Sequence, residues 1–214
     1  MISAADRRRS ILDEISAAAK LARRDPGEVT LIAVSKTRGV DEIEQLIAAG
    51  QRDFGESRVR EALAKWPPLL ERYPEVTLHC IGRLQSNKAA EAAQLFSVIH
   101  SLDRTSLLEA LVRKDRRPSV YVQVNIGEEV QKGGGAIGQV GELVAAVRAS
   151  PLPLAGLMAI PPLGVEPGPF FALLAELARR HDVTGLSMGM SADFKSAVML
   201  GATAVRVGTA LFED

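Results

Sequence analysis

The chain has 214 residues, 47% of them hydrophobic, and its 26 lysines and arginines balance 26 aspartates and glutamates to a net charge of zero. That length buries one sizeable core and falls slightly short of the roughly 250 residues usual for a (β/α)8 barrel, so a single domain over residues 1–214 is expected. Balanced charge excludes the global cationic field that gathers nucleic acid or an acidic membrane surface, and leaves a small polar ligand as the expected partner.

The chain opens on an expected helix over residues 2–22. Asp6-Arg7-Arg8-Arg9 puts charge where a signal peptide carries its apolar stretch, and no later run is long enough to span a bilayer, so a cytoplasmic location is expected. Short β-rich runs then alternate with helical stretches to the end, the pattern of a parallel sheet with crossover helices. The runs are 30–35, 52–54, 77–81, 97–100, 119–125, 154–158, 184–188 and 204–207, which makes eight. Several are nearly all apolar, such as Leu31-Ile32-Ala33-Val34, as in strands covered on both faces. The fold class expected is therefore α/β, a single (β/α)8 TIM barrel with an extra N-terminal helix.

Between the runs, Asp41 three residues before Glu44 marks a helix start and Gly50 a stop. Other helices are expected to end against Pro67-Pro68, Ser150-Pro151 and Gly201. Residues 208–214 are too few for a full covering helix, so the N-terminal helix is expected to fill that gap in the barrel wall. Gly133-Gly134-Gly135, beside Lys132, reads as a mobile loop.

Active sites of this fold gather at the C-terminal ends of the strands. The first strand ends Val34-Ser35-Lys36-Thr37, placing an amine at the mouth behind a buried strand, where desolvation would make it a nucleophile toward an aldehyde. Taken alone, such a lysine merely begins a loop. Ser191 after the seventh strand, a candidate cap for the next helix, and Gly208-Thr209 after the eighth add hydroxyls and close backbone approach at two helix starts. Loops after strands seven and eight are the recurrent phosphate site of this fold. Together they describe a phosphorylated ligand lying across the mouth toward Lys36.

Six separated strings, residues 31–37, 53–56, 81–88, 156–161, 186–193 and 206–212, closely resemble the YggS/PROSC family of pyridoxal 5′-phosphate (PLP) homeostasis proteins. The resemblance implies a barrel like that of alanine racemase, holding PLP as a Schiff base on Lys36. It also implies phosphate contacts from Ser191, Gly208 and Thr209, an arginine, Arg206, facing the pyridine nitrogen, and delivery of PLP to apo PLP-dependent enzymes without established turnover. Asn87 and Lys88 sit in a family string without a physical role of their own. Two departures stand out: Ser57 replaces the usual asparagine of Gly-Glu-Asn, and the segment from Pro161 to Gly185 is a few residues short.

Two rival activities use the same lysine. An amino-acid racemase or decarboxylase would exploit the PLP ring as an electron sink, which an arginine at the ring nitrogen weakens, and two-base racemases of this fold borrow a base from a further domain that this sequence lacks, an absence that also favours a monomer. A barrel aldolase without PLP would need an acid/base that is not evident.

Of the remaining candidates, Cys80 reads as an inert core thiol and Trp66 as packing a helix end. The Arg7-Arg8-Arg9 and Arg116-Arg117 runs read as solvated. His79, His100 and His181 lack metal-ligand spacing, and His100 with Asp103 reads as mouth or capping residues.

Overall fold

The structure, a computed structural model, describes residues 2–213. Its strands are β1 (Thr30–Val34), β2 (Asp53–Glu56), β3 (Thr77–Cys80), β4 (Val98–Leu102), β5 (Ser119–Val124), β6 (Leu154–Ala159), β7 (Leu186–Met190) and β8 (Ala204–Val207). Each pairs in parallel with the next, and β8 pairs with β1 to close the barrel, with Ile32 opposite Arg206. The expected architecture is therefore the observed one, with shifted ends. β2 runs on to Glu56, β4 to Leu102, and β7 begins and ends two residues later than its apolar run.

The helices are α1 (Ala4–Leu21), α2 (Val40–Ala48), α3 (Val59–Arg72), α4 (Ala89–Leu95), α5 (Thr105–Val112), α6 (Val140–Arg148), α7 (Gly168–Arg180), α8 (Phe194–Met199) and α9 (Thr209–Phe212). None is long and apolar enough to cross a membrane. α2 starts one residue before Asp41: Glu42, not Glu44, reaches back to accept from the Gly39 N–H at 2.8 Å. α3 continues through Pro67-Pro68 to Arg72 because Ala62, Trp66 and Leu69 keep one buried stripe across the prolines. Tertiary packing there outweighs the local helix-breaking signal.

α1 closes the wall beside the short α9, as expected. The run Arg7-Arg8-Arg9 is only partly solvated: Arg7 donates to Leu211 O at 3.0 Å and Arg8 to Gln51 Oε1 at 3.1 Å. Arg24 adds donations to Val198 O and Ala202 O at 2.8 and 3.0 Å, tying the start of the chain to α8.

Strand alternation divides the buried residues into two layers. Leu31, Ala33, Phe54, Leu157, Val205 and Val207 point outward into the apolar layer beneath the helices. Their in-between neighbours line the barrel interior, where register sets Ile32 beside Arg206, Gly55 beside His79 and Met158 beside Ser187.

Candidate functional site

Lys36 follows β1 directly and is exposed at the mouth, not desolvated as the sequence suggested. The turn behind it is fixed. Thr37 holds a left-handed φ of 65°, unusual for a β-branched residue, and its N–H donates to Glu61 Oε1 at 2.6 Å. Below lies the buried carboxylate of Glu56, whose Oε1 accepts from Ser35 Oγ at 2.8 Å and Trp66 Nε1 at 2.9 Å and pairs with Lys65 Nζ at 2.7 Å. Trp66 thus packs mid-helix against Phe54, ring centroids 5.2 Å apart, and not at a helix end.

Across the mouth, Ser191 does not cap α8. Asp193 precedes that helix and accepts from the Met190 N–H at 2.5 Å, while Ser191 Oγ accepts from the Gly208 N–H at 3.3 Å. The loops after β7 and β8 are joined in this way, with Thr209 exposed beside them. Gly189 lets α8 pack closely on the end of β7: its φ is +91°, and a Cβ there would lie 2.5 Å from the Ala197 Cβ. Gly208 lies against Val34, where an added Cβ would meet the valine Cβ at 3.5 Å, so the joined loops adjoin the strand that ends at Lys36.

Beneath them Arg206 is buried in the lumen. It donates to Ser187 O at 2.9 Å, to Ser187 Oγ, and to Ala159 O at 3.1 Å. Burial lowers its pKa to about 10. These three donations leave the rest of the guanidinium fork without an acceptor among the described residues.

His79 and His100, expected to be a strand histidine and a mouth or capping residue, both point into the lumen. His100 is fully buried, stacks on Tyr121 with centroids 4.4 Å apart, and places Nδ1 2.8 Å from Ser187 Oγ. Burial first, then His79 and Arg206, hold its pKa well below the ordinary value of 6.5. Its Nε2 lies 3.0 Å from His79 Nδ1, and His79 Nε2 lies 3.1 Å from Asp53 Oδ1. The only available sequence signal for this chain is alternation, with His79 between Leu78 and Cys80 and His100 between Ile99 and Ser101.

Elsewhere, Ser57, Arg83, Asn87 and Lys88 line an open cleft of about 800 Å³ between the ends of β2, β3 and β4, with Lys88 paired to Glu91 at 2.8 Å. The glycine loop beside Lys132 is pinned and not free: Gly135 donates to Gln123 O at 2.8 Å and accepts from the Asn125 N–H at 2.9 Å, adding a bridge to β5. Cys80 is buried, and burial pushes its thiol up to about 12.

The family described as "Alanine racemase, N-terminal domain" matches residues 10–214. The pyridoxal phosphate homeostasis protein of Escherichia coli (strain K12) is 39% identical over 222 residues, 94% of this chain and 92% of that protein. The structure of PipY of Synechococcus elongatus PCC7942 with PLP bound superimposes with a TM-score of 0.79 at 40% identity, over 92% of this chain and 99% of PipY. Alanine racemase of Corynebacterium glutamicum, 21% identical, shares the fold at a TM-score of 0.66 over 94% of this chain and 60% of the racemase.

Proposed function

This chain belongs to the alanine racemase N-terminal domain family and, within it, to the pyridoxal phosphate homeostasis proteins, and from that premise we propose that it binds PLP and takes part in intracellular PLP homeostasis. In this reading Lys36 holds the cofactor covalently, Ser191, Gly208 and Thr209 hold its phosphate, and Arg206 faces the pyridine nitrogen. The observation that carries the assignment is the unfilled edge of Arg206. A buried cation with unused N–H donors calls for an acceptor, and an unprotonated ring nitrogen is one.

When bound, PLP supplies an aldehyde that condenses with an amine and a ring that draws electrons from the attached atoms. Every other part of the reading falls to the chain's own groups. The Lys36 amine meets ligand arriving from solvent, and the Thr37 turn held by Glu61 sets its direction. The Ser191 hydroxyl, which accepts from the Gly208 N–H, keeps its own proton to donate to a phosphate dianion, and the Gly208 N–H would reach the phosphate by exchanging Ser191 Oγ for a phosphate oxygen. A guanidinium cannot take a proton from the ring nitrogen or supply a carboxylate to keep one there, so the ring is a weak electron sink and the site suits holding over turnover. One chain provides every residue named. We place the protein in the cytoplasm as a monomer that passes PLP to apo PLP-dependent enzymes.

Borohydride reduction of the PLP-loaded protein, followed by peptide mapping, should fix the label on Lys36. A label confined to Lys65, Lys88 or Lys132 overturns the assignment.

A further inference from the structure

Barrel interiors of this fold are filled mainly by branched apolar side chains, yet here a line of polar groups crosses the lumen from β8 through β7, β4 and β3 to β2. It joins Arg206, Ser187, His100, His79 and Asp53. The side chains of Ser187 and His100 are fully buried, His79 and Arg206 are nearly so, and Asp53, at the start of β2, is part-exposed. Burying four polar side chains in succession is costly unless each finds a partner.

The two ends determine every proton between them. An ionised Asp53 only accepts, so His79 Nε2 must carry hydrogen, and a neutral His79 then accepts at Nδ1. His100 Nε2 must therefore donate, leaving His100 Nδ1 as an acceptor, and the Ser187 hydroxyl must donate to it at 2.8 Å. The Ser187 oxygen is left with lone pairs only, which suits the Arg206 N–H that meets it. All the bonds point one way, from the cation to the carboxylate. An imidazolium at His79 would turn the line around and leave the Ser187 hydroxyl proton facing a guanidinium with no acceptor. Groups facing the line from the packed elements are Tyr121, stacked on His100, and Asp193, whose charge acts on Arg206.

We propose that His100 and His79, anchored on Asp53, are positioning residues that fix the direction of this line and so hold Arg206 as a charged, oriented donor toward the ring nitrogen of bound PLP. The proposal rests on the PLP reading for its last link only. The directed line is a property of the ligand-free protein.

Two measurements separate the links. In ¹⁵N-labelled protein without PLP at pH 8, imidazole spectra should show both His79 and His100 as the Nε2–H tautomer. Asp53→Asn, at the part-exposed end, removes the charge and lets an amide present either oxygen or nitrogen, so it should move both Nδ1 resonances toward mixed tautomers in a protein that still folds. Finding either histidine as Nδ1–H in the wild-type chain, or both unchanged in Asp53→Asn, overturns the directed line. In the PLP-loaded protein at the same pH, the absorption band should shift in His100→Phe and Asp53→Asn while borohydride still labels Lys36. His100→Asn, which returns an acceptor to Ser187, should recover the wild-type band in part. Bands identical in wild type and variants, with labelling intact, overturn the positioning role. A wild-type chain that takes up no PLP, with the tautomers as stated, overturns the PLP reading and leaves the line standing.

Discussion

The layer under the helices and the barrel lumen are both largely buried, and they are built from opposite materials. Phe54, Trp66, Phe96 and Phe171, with Ile43 and Leu46, fill the outer layer as fully buried apolar side chains. The lumen instead sets Arg206, Ser187 and His100 among Ile32, Met158 and Ala204, on the opposite strand faces. Burial of apolar area drives folding at roughly 25 cal/mol per Å², while a buried polar group contributes little net and costs much when unpaired. The outer layer therefore holds the molecule together. The lumen spends part of that stability on a placed guanidinium and its supporting line.

That division is broken most forcefully from the outside. Phe171→Ala empties a fully buried site on α7, and truncations of this kind cost about 3–5 kcal/mol. Urea unfolding should show that loss, while the fraction that remains folded labels at Lys36 with borohydride as before. A stability loss under about 1 kcal/mol would mean that the helix layer is not where the fold is secured.

A change at the mouth should do the reverse. Ser191→Ala removes a hydroxyl proposed to face a phosphate dianion, an interaction worth about 1.5–3 kcal/mol, so PLP affinity should fall roughly tenfold to a hundredfold with the urea midpoint nearly unmoved. Pyridoxal, which lacks the phosphate, should bind as before. Equal losses for both ligands would move the phosphate site away from Ser191.

The outer layer was far easier to read from sequence than the lumen. Nearly continuous runs such as Leu31-Ile32-Ala33-Val34 announce buried parallel strands, and eight β-rich runs in all, only several of them so apolar, define the closed barrel. Local signals misled where packing overruled them: Pro67-Pro68 lies inside α3, and Ser191 bonds to Gly208 instead of capping α8. The lumen line is non-local. His79 and His100 are 21 residues apart, and His100 and Ser187 are 87 apart. Only closure brings β3, β4 and β7 to face one another, so no spacing in the sequence reveals the bonds. Lys36 entered as a site candidate through its place at a strand end and the family resemblance and Arg206 through the resemblance alone, and the exposure of Lys36 was not legible at all.

The finest distinction between the two layers lies in alkaline solution, where one group from each titrates with opposite effect. Cys80, on the outer side of β3, has its thiol pushed by burial from 9.0 to about 12, so between those values the folded chain keeps a proton that the unfolded chain has lost. Stability changes with pH in proportion to the protons bound by the unfolded state minus those bound by the folded state. For Cys80 that difference is negative, and stability falls as pH rises from 9 toward 12. Arg206, in the lumen, is lowered by burial from 12.5 to about 10, so above pH 10 the unfolded chain keeps the proton and the folded chain loses it. Its sign is positive, and stability rises across that interval. Each slope has a limit of about 1.4 kcal/mol per pH unit, and where the intervals overlap they oppose each other. Comparison with the wild type removes the titrations common to all variants. Cys80→Ala should lose the wild type's extra decline between pH 9 and 10, and Arg206→Met should decline more steeply than the wild type above pH 10. Urea midpoints measured at half-unit steps from pH 8.5 to 11 would resolve both differences. Parallel curves for the wild type and Arg206→Met would show that the guanidinium is not desolvated in the lumen, and the contrast between the layers would then rest on hydrogen bonding alone.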